Sequence, residues 1–168
     1  MSGQGSPSLN IDGRNLRVAV LAGSWHEQVM DGLIAGAIAT LEAAGAEHTL
    51  FRVAGAFELP LAAQSALAPA SAGGGDFDAA VCLGVIVRGG TPHFEFVSNS
   101  VTDGLTRVQL DAGKPVGFGV LTTDNDEQAL DRSGLPGSSE SKGVEAAEAA
   151  LHSVITVQQI RAAASSTS

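Results

Sequence analysis

The residues with the most chemical capacity stand in four short clusters: Ser24-Trp25-His26, Gly55-Ala56-Phe57-Glu58, Arg88-Gly89-Gly90-Thr91-Pro92-His93 and Thr122-Thr123-Asp124-Asn125. In the third, two glycines and a hydroxyl precede a helix start, so backbone N–H groups can approach an anion such as phosphate and donate to it. A tight strand-to-helix turn that needs glycine is the alternative reading, and composition does not separate the two. His93 falls in the first turn of the next helix, where an imidazole can act as a base; a solvated or hydrogen-bonded structural role is the alternative. Of the other histidines only His26 occupies such a position, and His48 and His152 read as surface residues. Trp25 is the only tryptophan. Its ring can stack on a flat heterocycle or cap the core, and Phe57 and Phe118 are open to the same two readings.

Other chemistries lack their residues. There is no Gly-Lys-Ser/Thr phosphate loop and no dinucleotide glycine spacing, so ATP and NAD are not implied. No Cys/His cluster suits zinc and no Gly-x-Ser-x-Gly elbow suits an acyl hydrolase. Neither a cofactor nor a metal is expected.

The elements that must position these clusters alternate regularly. Leu16–Ala22 is a β-prone apolar run, and Ser24-x-x-Glu27 fits a capping box that predicts a helix start there. Val29, Leu33, Ala37 and Leu41 recur every four residues, and Gly45 offers the stop. A second strand is expected over 48–54, with Pro60 in the first turn of a short helix and 69–76 as a loop. Ala79–Val87 is apolar on both faces, as a central parallel strand covered on two sides should be. Val97, Val101, Leu105 and Val108 mark a helix ending near Gly113. A fourth strand over 115–121, a short helix over 127–132 and a long helix over 142–161 follow. Strand-helix alternation demands right-handed crossovers, which predicts an α/β, flavodoxin-like four-stranded parallel sheet with helices on both faces. Ligands of such sheets bind beyond the strands' carboxyl ends, where all four polar clusters fall.

At 168 residues and 44% hydrophobic the chain can bury one core, and one domain is expected. A formal charge of -9 argues against a nucleic-acid or anionic-membrane partner. The single Cys82 allows no internal disulfide, and no stretch reads as a signal or a membrane span, so a cytoplasmic location is expected. Residues 1–14 and 163–168 read as flexible ends around a domain at 15–162.

Three long segments, taken together and in order, go further: Gly55-Ala-Phe-Glu-Leu-Pro60, Gly84-Val-Ile-Val-Arg-Gly-Gly-Thr-Pro-His-Phe-Glu-Phe96 and Gly119-Val-Leu-Thr-Thr-Asp-Asn-Asp-Glu-Gln-Ala-Leu-Asp-Arg132, with Lys142-Gly143 after them. The chain closely resembles the lumazine synthase family from its first strand to its last helix. The resemblance implies a cofactor-free condensation in riboflavin biosynthesis. 5-Amino-6-(ribitylamino)uracil and 3,4-dihydroxy-2-butanone 4-phosphate would give 6,7-dimethyl-8-ribityllumazine, phosphate and water. It implies that Trp25 stacks on the pyrimidine, that Ala56, Phe57 and Glu58 hold the ribityl chain, and that Ile86 and Val87 supply backbone contacts. Gly90, Thr91 and Arg132 would bind phosphate, His93 would move protons, and Lys142 would lie near the ligand. Phe118 would wall the pocket from a neighbouring subunit.

Two departures from the family's pattern stand out. Gly90 replaces a larger residue found in many relatives, and Gly134-Leu-Pro-Gly-Ser-Ser-Glu-Ser-Lys142 is longer than the usual Gly-Thr-Lys-x-Gly-Asn-Lys. Because that loop influences whether pentamers close into shells, the longer version implies a free homopentamer. A flavin-storing binding protein and an archaeal-type riboflavin synthase are the rival readings, and the Gly90, Thr91 and Arg132 set argues against the second.

Overall fold

The computed structural model describes residues 11–165. Most of the ends expected to be flexible, 1–10 and 166–168, lie outside the described residues. Four strands run parallel in the order β2-β1-β3-β4: β1 (Arg17–Ala22), β2 (Glu47–Arg52), β3 (Ala79–Val87) and β4 (Val116–Thr123). The helices α1 (Glu27–Ala43) and α5 (Lys142–Ser165) cover one face, α2 (Leu59–Leu67) and α3 (His93–Ala112) the other, and the short α4 (Asp126–Asp131) follows β4. The flavodoxin-like sheet expected from the alternation is therefore present.

Alternation along the strands divides the core in two. Val18, Val20, Val81 and Leu83 meet Leu33, Leu41 and Leu151 on the α1/α5 face. Ala19, Leu21, Ala80 and Cys82 meet Leu59, Val101 and Leu105 on the other. Each fully buried leucine, such as Leu33 or Leu151 at 0% exposure, contributes about 2 kcal/mol. The α1/α5 layer lies very close to β4 because Gly117 and Gly119 carry no side chains. A Cβ at Gly117 would stand 2.2 Å from the Ala146 carbonyl oxygen.

β3 matches its expected span residue for residue, while β4 continues two residues beyond its expected end. The predicted capping box does not form. Ser24 donates its hydroxyl to the Val53 carbonyl at 2.7 Å, and α1 is entered instead through His26, whose φ of 56° turns the chain. The local pattern fitted, but a partner 29 positions away outcompeted the helix end. Gly45 and Gly113 end α1 and α3 with φ values of 76° and 61°, where a side chain would strain the backbone.

Candidate active site

The carboxyl ends of the strands are not level, and this step shapes the site. Ala22, the last residue of β1, pairs with Leu83, whereas β3 runs on to Val87 beside Thr123. The Gly23 N–H donates to the Leu83 carbonyl at 3.0 Å. By the alternation of a parallel strand, Leu83, Val85 and Val87 turn their backbone groups toward the β1 side, where β1 has ended. Ile86 and Arg88 turn theirs toward β4, and the Arg88 N–H donates to the Thr123 carbonyl at 2.8 Å. Val87 thus presents open backbone on the side where β1 has ended, while Ile86 faces the α2/α3 core and is 8% exposed.

Trp25, Ala56 and Glu58 gather on one side of this step. The loop after β1 is pinned to the loop after β2 by Ser24, through its hydroxyl and through its N–H to the Ala54 carbonyl at 3.3 Å. A single 3-10 turn, Ala56–Glu58, then leads into α2. The Glu58 carboxylate accepts the Gly55 N–H at 2.8 Å, and a Cβ at Gly55 would lie 3.3 Å from Trp25 Cδ1. Ala56 is buried beneath them against Gly84, whose own Cβ would stand 3.2 Å from it. Trp25 at 69% and Phe57 at 60% exposure are open to solvent. Burial in the core is therefore not the role of either ring, and a stacking surface is free.

The loop after β3 carries Gly89, Gly90 and Thr91 into α3, with Pro92 at the cap and His93 as the first helical residue. A Cβ at Gly89 or Gly90 would meet nothing within 4 Å. Neither glycine is demanded by a crowded turn or by a left-handed backbone, so the backbone of the pair is open to close approach. The helix start behind them supplies unpaired N–H groups and the positive end of a 20-residue dipole. Arg88 itself is committed elsewhere. Its guanidinium donates to Glu95 and, at 2.9 Å, to Asp124, and lies 4.2 Å above the Phe94 ring. The hydrogen bonds to Glu95 and then Asp124 raise its pKa further, and Arg88 in turn holds Glu95 below the ordinary carboxylate range.

Arg132 and Lys142 form a separate group. Asn125 accepts the Gln128 N–H and Gln128 returns its side-chain oxygen to the Asp124 N–H, both at 2.9 Å, which fixes the start of α4. Arg132 caps the far end, giving one N–H to the Gln128 carbonyl at 2.9 Å. The Lys142 N–H donates to the Arg132 carbonyl at 3.0 Å. Lys142 Nζ meets Glu140 at 2.7 Å and Glu145 at 2.8 Å. Burial alone would lower its pKa, but these two carboxylates outweigh that and raise it above the ordinary lysine value. A lysine so held is a fixed cation and not an amine nucleophile.

Arg132, Glu140 and Lys142 line a cleft of about 680 Å³ along the open edge of β4, together with Phe118, Thr122 and Thr123. Trp25, Glu58 and His93 do not line it. Phe118 pairs with Cys82. It sits five residues before the end of its strand, roughly 16 Å from the carboxyl edge. The chain's own Trp25, Glu58 and His93 lie at that edge, so they and Phe118 belong to different parts of the surface. Four carboxylates hold Arg88 and Lys142; the sequence singles out Asp124 as part of the polar cluster after β4 but not as a partner of Arg88, and Glu95, Glu140 and Glu145 carry no such signal.

Comparison with known proteins gives this geometry its context. The profile of one family, described as 6,7-dimethyl-8-ribityllumazine synthase, matches residues 15–158. A protein of that description from Leifsonia xyli subsp. xyli is 59% identical over 163 residues, covering 96% of this chain and 99% of the relative. Another, from Clavibacter michiganensis subsp. michiganensis, is 54% identical over 166 residues, covering 97% and 100%. A third, from Streptomyces avermitilis, is 54% identical over 164 residues, covering 95% and 97%. Matches of this identity over nearly the whole chain leave no room for a chance likeness, and the chain belongs to the 6,7-dimethyl-8-ribityllumazine synthase family, enzymes of riboflavin biosynthesis.

Proposed function

We propose that the chain condenses 5-amino-6-(ribitylamino)uracil with 3,4-dihydroxy-2-butanone 4-phosphate at a site completed by two copies of itself. One copy supplies Trp25, Ala56, Phe57, Glu58, Val87, Gly90, Thr91 and His93 at its strand ends. The next supplies Phe118, Arg132 and Lys142 from the cleft along β4. The observation that carries this reading is the separation of the two groups. The cleft beside β4 holds the cationic and aromatic residues, and the strand ends hold the stacking ring, the acid and the histidine.

In this reading the pyrimidine stacks on Trp25 and its ribityl chain lies along Ala56-Phe57-Glu58, while the open backbone of Val87 bounds the ring. The phosphate sits on the N–H groups at Gly90 and Thr91, and Arg132 of the neighbouring copy closes over it. The 5-amino nitrogen attacks the ketone and expels a first water to give an imine. Proton removal from the sugar-derived carbons, assisted by His93, lets phosphate leave with its bonding electrons. The enol left by that elimination takes up a proton at its terminal carbon and becomes a new carbonyl, and attack of the ribityl-bearing amine on it, with loss of a second water, closes the ring. Most of the acceleration comes from holding two substrates in contact. No cofactor enters this sequence of steps.

No helix among the described residues is long and apolar enough to cross a membrane, and a cytoplasmic homopentamer working on small molecules is the assembly we assign. The experiment is to mix both substrates with the protein and follow lumazine fluorescence, with static light scattering on the same sample. Product formation by a particle of five chains is expected. Binding without turnover would reduce the chain to a storage protein, product from lumazine alone would make it a riboflavin synthase, and a shell-sized particle would overturn the pentamer.

A further inference from the structure

Arg88 opens the segment that binds phosphate in the proposed site, yet its guanidinium faces two carboxylates of its own chain. Asp124 lies on the loop after β4, 36 positions away, and Glu95 in the first turn of α3. Phe94, also in that turn, stacks beneath it at 4.2 Å. The Arg88 N–H is tied to the Thr123 carbonyl at 2.8 Å. One side chain therefore joins the end of β3, the end of β4 and the start of α3. The loop between, Gly89-Gly90, has open space where its side chains would be. Glycine without packing is the most mobile backbone available, and it must be immobilised from its ends.

Charge makes the second part of the case. Without Arg88, Glu95 and Asp124 would be two unpaired carboxylates beside N–H groups meant for a phosphate dianion, and their field would oppose its binding. With Arg88 in place one of those charges is cancelled and both are held in fixed directions. Lysine could supply the charge, but its ammonium is one point, whereas Arg88 uses two separate nitrogens of a rigid plane, Nε toward Asp124 and Nη1 toward Glu95, to hold the carboxylates in fixed directions.

We infer that Arg88 is the positioning residue of the phosphate end of the site. By clamping Asp124 to Glu95 it fixes the N–H groups of Gly90 and Thr91 and the first turn that carries His93, and it does so without touching substrate. This rests on the reading given under the proposed function.

The test uses the assembled enzyme and three variants, Arg88→Gln, Arg88→Lys and Asp124→Asn, with steady-state kinetics for each substrate and calorimetric titration with inorganic phosphate. Arg88→Gln should raise KM for the phosphorylated ketone, and Kd for inorganic phosphate, about tenfold. KM for the pyrimidine should stay within about twofold, because Trp25 and Glu58 sit on other loops. Arg88→Lys should fall between, and Asp124→Asn, which frees one arm of the fork but also removes a negative charge, should move the same constants in the same direction by only about threefold, because the loss of positioning outweighs the relief of charge. If Arg88→Gln does not fold, the Asp124→Asn split between the two substrates decides. Variants whose two KM values rise together, or that lose only thermal stability, overturn the inference while the enzyme reading stands. A parent protein that makes no lumazine from both substrates overturns both.

Discussion

The Glu58 carboxylate takes the Gly55 N–H at 2.8 Å directly beside the Trp25 ring, whose Cδ1 would be 3.3 Å from a Cβ at Gly55. The acid and the ring thus share one glycine as their contact point. Gly55 has an extended backbone, with φ of -153°, so Gly55→Ala costs little conformationally and acts by pushing on Trp25 or Glu58. Affinity for the pyrimidine substrate should fall about fivefold while KM for the phosphorylated ketone holds. Trp25, the only tryptophan, reports this directly, because its emission should be that of a solvated ring and should quench when the pyrimidine stacks. A variant that quenches at the parental concentration would show that the shared glycine does not matter.

His93 is exposed at the first residue of α3, with the Gly90-Thr91 loop directly before it. His93→Ala removes a proton carrier but leaves both substrates held, so kcat should fall about a hundredfold at most and KM should barely move. Single-turnover product fluorescence separates that from slow release. A change no greater than that of His152→Ala, an exposed histidine on α5, would remove His93 from the chemistry.

The proposed assignment of Trp25 and Arg132 to different copies makes an assembly-level prediction. Trp25→Ala and Arg132→Ala homo-oligomers should each be weak. If every site takes one side from each of two copies, random one-to-one mixing leaves both sides intact in half times half, about a quarter, of the sites. Co-refolded mixtures should therefore recover about a quarter of parental activity. Recovery no greater than the average of the two variants would place the whole site in one chain.

Legibility followed the range of the interactions. β3 could be read residue for residue because both its faces are buried and the run Ala79–Val87 is unbroken. β4 was cut short at Leu121 because Thr122 and Thr123 look like loop, and what keeps them in the sheet is β3, which pairs them with Ile86 and Val87. The capping box expected at Ser24 fails for the same reason in reverse, since the partner of Ser24 is a carbonyl on the loop after β2. Arg88 shows the limit best. Nothing in its neighbourhood along the chain points to Asp124, 36 positions on, and only the topology brings the ends of β3 and β4 together.

Backbone crowding gives a prediction that does not involve substrates. A Cβ at Gly117 would stand 2.2 Å from the Ala146 oxygen, and one at Gly143 would stand 2.1 Å from the Leu33 oxygen. Neither backbone can yield without displacing α5. Gly117→Ala and Gly143→Ala should each cost about 3 kcal/mol in denaturant melts. Gly90→Ala, with nothing within 4 Å, should unfold at the parental denaturant concentration. Equal stability of all three variants would mean that α5 sits farther from β4 and α1 than described.

The loop 134–141, where this chain departs from the family's pattern, is tied down by a titratable group. Ser139 donates both its hydroxyl, at 2.6 Å, and its N–H, at 3.0 Å, to the Asp131 carboxylate. Those hydrogen bonds, the side-chain one foremost, lower the Asp131 pKa from its ordinary 3.8. A depressed carboxylate contributes stability that is fully present above the unfolded value and is lost as pH falls through the folded one. The loop should therefore be held at neutral pH and released only in acid, below about pH 4. Ser139→Ala removes the donor hydroxyl, so parent and variant should differ in melting temperature at pH 7 and converge as pH drops below that point. Because Ser133, buried at 0% exposure, shares this loop through its bonds to Leu130 and Ser138, the protection of the Ser138 and Ser139 amides relative to their intrinsic exchange rates should fall over the same acid range. A melting difference that stays constant from pH 7 to pH 3 would show that Ser139 acts by packing and that Asp131 plays no part in holding the loop.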